Sequence, residues 1–155
     1  MFDPQKIIEV LNQQRVEYVA VGGFAATLHG CPEQTFDLDI LYADTPSNRQ
    51  RLLMAFKEIE ARWDEPLSDA ILQRQPVFAL NTKFGDLDIL SEILGVGTYE
   101  QAMSHVQSMN VGNQTVTILD LPTLISAKEA AADPNPRKRS ALEYLRLLQQ
   151  RGNQP

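Results

Sequence analysis

The sequence predicts one α/β domain, formed by residues 1–155, in which helices flank a mixed β-sheet. Segments with the apolar spacing of helices alternate with short apolar runs typical of strands. Two of the strand connections are short enough to be hairpins, which make antiparallel pairs, so the sheet is expected to be mixed rather than purely parallel. Hydrophobic residues make up 43% of the 155 residues, which is sufficient for one buried core.

The composition restricts where the protein works and what it binds. The 14 Lys and Arg residues and the 20 Asp and Glu residues give a formal net charge of −6, which argues against a free-standing nucleic-acid-binding protein. The single cysteine, Cys31, cannot form an internal disulfide, as is usual in a reducing compartment. The sequence has no secretory signal pattern and no apolar run of about 20 residues. We therefore expect a cytoplasmic protein that does not bind membranes.

The first half of the chain is predicted to contain three helices and two strands. An N-cap residue before an apolar stripe predicts each long helix, and a short apolar run before a glycine turn predicts a buried strand. In chain order the elements are a helix begun by Asp3 and Pro4, a strand over residues 18–21, a short helix over 24–29 closed by Gly30, a strand over 36–42, and a helix capped by Ser47 or Asn48 that runs to about Ile59.

The second half begins with a segment, residues 61–76, that carries no clear periodic pattern. Two strand pairs follow, each joined around a glycine, and a capping-box spacing predicts a short helix between them. In chain order the elements are strands over 77–81 and 87–90 around Gly85, a helix from Thr98 to Met103, strands over 106–111 and 115–119, a helix capped by Asp120, a proline-rich break over 133–136, and a last helix over about 137–150.

The most informative feature is a pair of acids on the second predicted strand. Asp37 and Asp39 are two residues apart, so they project from one face of the strand, while Phe36, Leu38 and Ile40 are expected to point into the core. Two adjacent carboxylates repel each other, and a bound divalent cation makes the arrangement favourable. The alternative is the solvated polar face of an amphipathic strand.

A second copy of this pattern favours the metal-binding interpretation. Asp86 and Asp88 occupy a later strand with the same spacing, so up to four acids converge if the two strands share one sheet with matched faces. Like charges on neighbouring strands are destabilising unless a cation lies between them. Asp86 directly follows Gly85 and is interpreted as a turn residue, which leaves Asp88 as the better metal ligand.

Two further features suit a phosphate group. The turn at Gly22 and Gly23 lies between a strand and a helix, where small residues let a phosphate approach backbone N–H groups, although such a pair is also an ordinary turn. Lys128 shares a helical stripe with Leu124 and Ile125. Its ammonium group either extends past the edge of the core to water or points at a triphosphate in the cleft.

The other polar candidates receive structural interpretations. His29 is expected to cap or pack rather than to act as a base. The one basic cluster, Arg137 to Arg139, is expected to be exposed to solvent rather than to bind nucleic acid.

Several motifs, taken together, resemble a known superfamily. They are Val21-Gly22-Gly23-Phe24-Ala25-Ala26, His29-Gly30, Thr35-x-Asp37-Leu38-Asp39, Gly85-Asp86-Leu87-Asp88, Gly95-Val96-Gly97-x-Tyr99-Glu100 and Leu121-x-x-Leu124-Ile125-x-x-Lys128. The set resembles the nucleotidyltransferase superfamily related to DNA polymerase beta. The likeness is greatest to its small bacterial and archaeal branch, which includes minimal nucleotidyltransferases and the AbiEii-type toxins of type IV toxin–antitoxin systems. It covers about residues 15 to 148.

The resemblance implies the nucleotidyltransferase fold, with an active site at one sheet edge and two Mg²⁺ ions, for which Mn²⁺ is a possible substitute. The acid pair that binds both ions in that superfamily is matched by Asp37 and Asp39. The third acid, which serves one metal and helps to activate the attacking hydroxyl, is matched by Asp88.

The resemblance also implies the residues that bind the nucleotide. The glycine turn that holds the NTP phosphates is matched by Gly22 and Gly23, and the lysine of the later helix is matched by Lys128. The superfamily's turn more usually reads Gly-Ser, so Gly23 stands where a serine hydroxyl would contact a phosphate.

The implied activity is transfer of a nucleoside monophosphate from an NTP to a hydroxyl group, with release of pyrophosphate. The acceptor is open among a partner protein, an RNA such as tRNA, and a small molecule, and the protein is expected to belong to a toxin–antitoxin system on one interpretation. The alternative is a noncatalytic or weakly active protein that acts by binding a partner protein.

Overall fold

The computed structural model describes residues 1–32 and 34–152. Helices and strands alternate along these residues, as the apolar patterns predict. In chain order the elements are α1 (Pro4–Gln13), β1 (Tyr18–Val21), α2 (Gly22–Leu28), β2 (Asp37–Tyr42), α3 (Pro46–Glu58), α4 (Asp69–Leu72), β3 (Val77–Thr82), β4 (Gly85–Leu90), β5 (Glu92–Ile93), β6 (Gly97–Thr98), α5 (Tyr99–Ala102), β7 (Val106–Val111), β8 (Gln114–Leu119), α6 (Leu121–Ala131) and α7 (Pro136–Gly152).

The larger sheet has six strands in the order β3-β4-β2-β1-β8-β7. Strands β2 and β4 are parallel, as are β1 and β8, and the other neighbouring pairs are antiparallel. The two predicted hairpins are the pairs β3–β4 and β7–β8. The predicted fold class, an α/β protein with a mixed sheet and flanking helices, is therefore confirmed.

Alternate side chains of the central strands form the middle of the core. Leu38 and Ile40 of β2 are fully buried, and so are Leu87 and Ile89 of β4. Burial of each of these side chains stabilises the fold by about 1.5–3 kcal/mol relative to its exposure. Because the side chains of a strand alternate between its two faces, this apolar set determines which residues point to the other face.

Phe36 was expected in this core, and that prediction is wrong. Its side chain is 65% exposed, and β2 begins one residue later, at Asp37. The pairing of β2 with β4 also begins at Asp37, so the strand geometry that sets the alternation does not extend to Phe36.

Helix α3 begins earlier than the sequence predicts. Thr45 is its N-cap, since the Thr45 side chain accepts a hydrogen bond from the backbone N–H of Asn48. Asn48 itself is fully buried. Its amide group donates to the carbonyl oxygens of Glu17 (3.0 Å) and Ala43 (2.8 Å), and its Oδ1 accepts from the N–H of Glu17 (2.7 Å). This residue satisfies backbone groups at the start of β1 and the end of β2, which is why it does not cap the helix.

The segment without a clear pattern contains the single-turn helix α4. Ser68 is the N-cap of α4, and Leu72, its last residue, is buried. A nearly buried guanidinium group joins α4 to α3, because Arg49 pairs with Asp69 at 2.8 Å and with Asp44 at 2.7 Å. Short elements of this kind, including the ribbon of β5 and β6, have too few residues to show a period.

The helices that follow β8 are close to their predicted positions. Asp120 caps α6 through the N–H of Thr123, and α7 extends over Pro136–Gly152 where the sequence predicts about 137–150. Helix α6 packs against both α2 and α7, so the three helices lie side by side. Within the described residues, no helix combines the length and the hydrophobicity that a membrane crossing requires.

Candidate active site

Three of the predicted acids meet on neighbouring strands. The parallel pairing of β2 with β4 places Asp37 beside Asp86 and Asp39 beside Asp88. Carboxylate oxygens of Asp37, Asp39 and Asp88 all lie within 4.8 Å of one another. Both strands have neighbours on either side, so the acids lie on inner strands of the sheet.

The fourth acid is outside this group. Asp86 is exposed, at the start of β4 beside the hairpin turn, and the cluster of possible metal ligands does not include it. The interpretation of Asp86 as a turn residue is wrong, because Asp86 belongs to β4 and is paired with Asp37 and Asn81. Its exposed position still leaves Asp88 as the better ligand.

The three carboxylates make an electrostatically unfavourable group by themselves. Burial raises the pKa of the Asp39 carboxyl to about 8, and repulsion from Asp37 and Asp88 adds to the increase. Burial likewise raises the pKa of Asp88. Within the part of the chain that the structure describes, the buried Oδ1 of Asp39 has no hydrogen-bond partner. A cluster of carboxylates with an unsatisfied buried oxygen suits a divalent cation such as Mg²⁺, which prefers oxygen ligands.

Gly22 and Gly23, which the sequence predicts as a turn, are instead the first two residues of α2, because the helix follows β1 directly, and they pack on these acids. Gly22 has φ +65°, and a β carbon there would overlap Oδ2 of Asp39. Gly23 has more space, because its nearest neighbour would be Oγ1 of Thr35 at 3.5 Å. Thr35 in turn donates to the carbonyl oxygen of Asp37 at 3.0 Å. The absence of a side chain at Gly22 therefore lets the end of β1 approach the acid pair.

A cavity of about 660 Å³ opens beside the acids. The predicted site residues that line it are Gly22, Asp39, Asp88 and Lys128. Asp37 belongs to the carboxylate group but does not line the cavity, and neither does Gly23. Four elements that are separate in the sequence, α2, β2, β4 and α6, thus bring four of the six predicted site residues to one cavity.

Lys138 is a site residue that the sequence interpretation missed. It lines the cavity and is half-buried, so the prediction that residues 137–139 form a solvent-exposed cluster is wrong for this position. Its ammonium Nζ is 4.0 Å from the place that a β carbon on Gly23 would occupy. The positive charge of Lys138 also lowers the pKa of Asp39, against the larger effect of burial.

A signal for Lys138 was present in the sequence. Ala141 and Leu145 are the buried residues of α7, and Lys138 precedes Ala141 by three positions, on the same face of the helix. The stripe criterion that singled out Lys128 on α6 therefore also applies to Lys138. His29, by contrast, has the structural role that was expected, because its Nε2 donates a hydrogen bond to the carbonyl oxygen of Leu119 at 2.8 Å.

Comparisons with known proteins agree with this architecture. No protein-family model and no curated protein matches the sequence significantly. Among solved structures, the lincosamide antibiotic adenylyltransferase LnuA, with lincomycin bound, is similar with a TM-score of 0.67 and 12% identity over 94% of this chain and 95% of LnuA. ANT(2'')-Ia in complex with adenylyl-2''-tobramycin has a TM-score of 0.61 and 15% identity over 96% of this chain and 95% of its own.

A third similar structure is a proposed nucleotidyltransferase from Thermotoga maritima, with a TM-score of 0.57 and 16% identity over 99% of this chain and 96% of its own. Each likeness extends over nearly the whole of both chains. Identities of this size establish the fold rather than the chemistry. The chain therefore has the fold of the nucleotidyltransferases.

Proposed function

We propose that the protein is a Mg²⁺-dependent nucleotidyltransferase that moves a nucleoside monophosphate from an NTP to a hydroxyl group. The observation that supports this function best is the convergence of Asp37, Asp39 and Asp88 within 4.8 Å, beside a cavity, in a chain with this fold. In the transfer, the acceptor oxygen bonds to the α-phosphorus, the bond from that phosphorus to pyrophosphate breaks, and the hydroxyl proton is lost.

The acids have two roles in this proposal. Asp37 and Asp39 hold Mg²⁺, and Asp88 completes the ligand set and accepts the hydroxyl proton. When bound, Mg²⁺ offsets the charge of the triphosphate and increases the acidity of the acceptor hydroxyl. Since the strands fix all three side chains, the carboxylates need no rearrangement as the reaction proceeds.

The triphosphate is bound beside Asp39, at the start of α2 and near Lys128. Gly22 lines the cavity at the start of α2, where a phosphate would meet backbone N–H groups of Gly22 and Gly23, and Lys128 lines the same cavity from α6. Gly23 carries no hydroxyl, so its contribution is limited to the backbone.

We propose a small hydroxyl-bearing molecule as the acceptor. LnuA was solved with lincomycin, and ANT(2'')-Ia with adenylyl-2''-tobramycin, and both are about as long as this chain. The cavity, at about 660 Å³, is within the usual range of ~300–1,000 Å³ for small-molecule sites. The net charge of −6 disfavours RNA. A partner protein, as in a toxin–antitoxin pair, and tRNA are the alternative acceptors.

The proposal is tested by following radiolabel from each of the four NTPs, labelled at the α-phosphate, in the presence of Mg²⁺. The acceptors offered are a panel of lincosamides and aminoglycosides, total tRNA, and the product of a neighbouring gene. We expect pyrophosphate release and labelling of a small molecule. Labelled tRNA or labelled partner protein would overturn the acceptor class but keep the transferase activity.

Two variants separate the site from the rest of the protein. The double variant Asp37→Asn/Asp39→Asn is expected to lose transfer, whereas Asp86→Asn, which changes an exposed acid on the same sheet, retains it. Transfer that persists in the double variant would refute the site. Stable capture of a partner protein with no pyrophosphate release from any NTP would favour the noncatalytic alternative.

A further inference from the structure

Lys138 has a position that a solvent-exposed lysine would not have. It stands in the first turn of α7 and lines the cavity with Asp39 and Asp88. Its Nζ is 4.0 Å from the site of a β carbon on Gly23, in the first turn of α2. The ammonium group thus lies beside Gly23, close enough to Asp39 for its positive charge to act on that acid.

The packing of α7 directs Lys138 to this place. Ala141 and Leu145 are buried, and Leu148 approaches Gly30 at the end of α2, so the face of α7 that bears these residues is held against the domain. Lys138 lies on that same face, three and seven positions before the two buried residues. Its neighbour Arg137 is exposed and does not line the cavity.

The charges of the proposed reaction require more cations than the metal supplies. A triphosphate carries roughly four negative charges, and the carboxylate cluster carries up to three more. Two Mg²⁺ ions offset only part of this total, so an ammonium group inside the cavity has an anion to neutralise when an NTP binds. Of the two arginines that line the cavity, Arg139 is exposed to solvent and Arg146 is paired with Glu129 at 3.0 Å.

We propose that Lys138 is a second triphosphate-binding cation, which contacts the phosphates of the NTP together with Lys128. This inference rests on the proposed function, and it adds to that function a residue that the sequence motifs do not assign. Lys138 is therefore a binding residue for the nucleotide, whatever the base and whatever the acceptor.

A purely structural role is the competing explanation, in which Lys138 is only a counter-ion for Asp39. The two roles differ in what they predict for phosphate binding. A counter-ion influences Mg²⁺ affinity and stability, but it gives no preference for a longer phosphate chain. A residue that binds the triphosphate gives that preference, and its loss raises the KM for NTP more than it changes the pH profile of the reaction.

The experiment uses inorganic tripolyphosphate with Mg²⁺ as the probe, measured by isothermal titration calorimetry on the full chain. We expect Lys138→Met, which keeps the apolar stem and removes the charge, to weaken tripolyphosphate binding at least tenfold and orthophosphate binding much less. Lys138→Arg is expected to restore tripolyphosphate binding to within threefold of the wild type. Arg137→Met is the matched control and is expected to bind like the wild type.

The outcomes separate this inference from the proposed function. Wild-type binding of tripolyphosphate that is unchanged in Lys138→Met overturns the role of Lys138 and leaves the proposed function standing. A wild-type chain that binds neither tripolyphosphate nor any NTP overturns both. If Lys138→Met is too unstable to purify, Lys138→Gln provides the same comparison, and the thermal midpoint of each variant without metal verifies its folding.

Discussion

Asp39 of β2 and Asp88 of β4 are paired in register on parallel neighbouring strands, so the sheet itself holds their carboxylates side by side. Neither β2 nor β4 carries a lysine or an arginine, and Asp37 adds a third carboxylate to the same group. The fold thus maintains a repulsive contact that a divalent cation would relieve.

Binding of Mg²⁺ should therefore stabilise the protein through this group. At a Mg²⁺ concentration ten times its Kd, we expect a gain of about 1.4 kcal/mol, which raises Tm by several degrees because each kcal/mol is worth about 2–4 °C in a chain of this size. Differential scanning fluorimetry of Asp88→Asn should show no such rise, while Asp86→Asn should respond like the wild type. An equal rise in all three proteins would contradict the ligand assignment.

The same carboxylates make the metal-free protein less stable as pH rises. Burial and repulsion raise the pKa of Asp39 from 3.8 to about 8, so between these values the folded chain keeps a proton that the unfolded chain has lost. The free energy of unfolding contributed by this group is thus highest below pH 4 and falls as pH rises towards 8.

Urea titrations in EDTA at a series of pH values check this prediction. The stability of Asp39→Asn relative to the wild type should increase as pH rises from 5 to 8, since asparagine does not ionise. With Mg²⁺ present the wild type should instead gain most at the higher pH, because the ligands must be deprotonated. A constant difference between the two proteins across this range would show that the pKa of Asp39 is not raised.

Gly22 and Gly23, at the start of α2, should respond differently to an added methyl group. Gly22→Ala places alanine at φ +65° and against Oδ2 of Asp39, so we expect a loss of about 1–3 kcal/mol of stability and loss of transfer. Gly23→Ala meets only an ordinary contact with Thr35 at 3.5 Å, so we expect a change within about 0.5 kcal/mol. Urea unfolding with matched m-values measures the free energy of unfolding of both variants. Equal losses would contradict the close contact of Gly22 with Asp39.

Phe36 and Leu38 are only two positions apart in the sequence, but Leu38 alone of the two lies on the buried face of β2. Leu38 is fully buried in the core, whereas Phe36 is 65% exposed. Leu38→Ala is expected to cost about 2–5 kcal/mol through lost burial and the cavity that remains. Phe36→Ala is expected to change stability by less than about 0.5 kcal/mol. Chemical denaturation measures both, and a large loss for Phe36→Ala would restore it to the core.

The parts of the fold that follow local rules were predictable from the sequence. The alternation of Leu38 and Ile40 with acids located β2, and the glycine turns located both hairpins. Asp120 and Thr98 identified their helix starts because an N-cap hydrogen bond involves only neighbouring residues. The sequence predicted that the acids of β2 and β4 come together only on the condition that both strands belong to one sheet with matched faces.

Features set by tertiary contacts were not predictable in the same way. Asn48 looked like a helix cap, but buried backbone groups of Glu17 and Ala43 use its amide group. Lys138 shares a helical stripe with Ala141 and Leu145, which indicates that it faces the domain, but the docking of α7 against α6 decides that it lines the cavity. In each case a distant segment of the chain decides which of two ordinary roles the side chain adopts.

The pairing of β2 with β4 makes the core and the acid cluster depend on one another. Leu38 is opposite Leu87, and Ile40 is opposite Ile89, in the same register that places Asp39 beside Asp88. A slip of one residue would turn Asp88 to the buried face and expose the apolar side chains, so the hydrophobic residues prevent it. Apolar side chains that do not contact a substrate thereby determine the spacing of the carboxylates. We expect that substitutions in this part of the core change the alignment of β2 with β4 and, through it, the metal site.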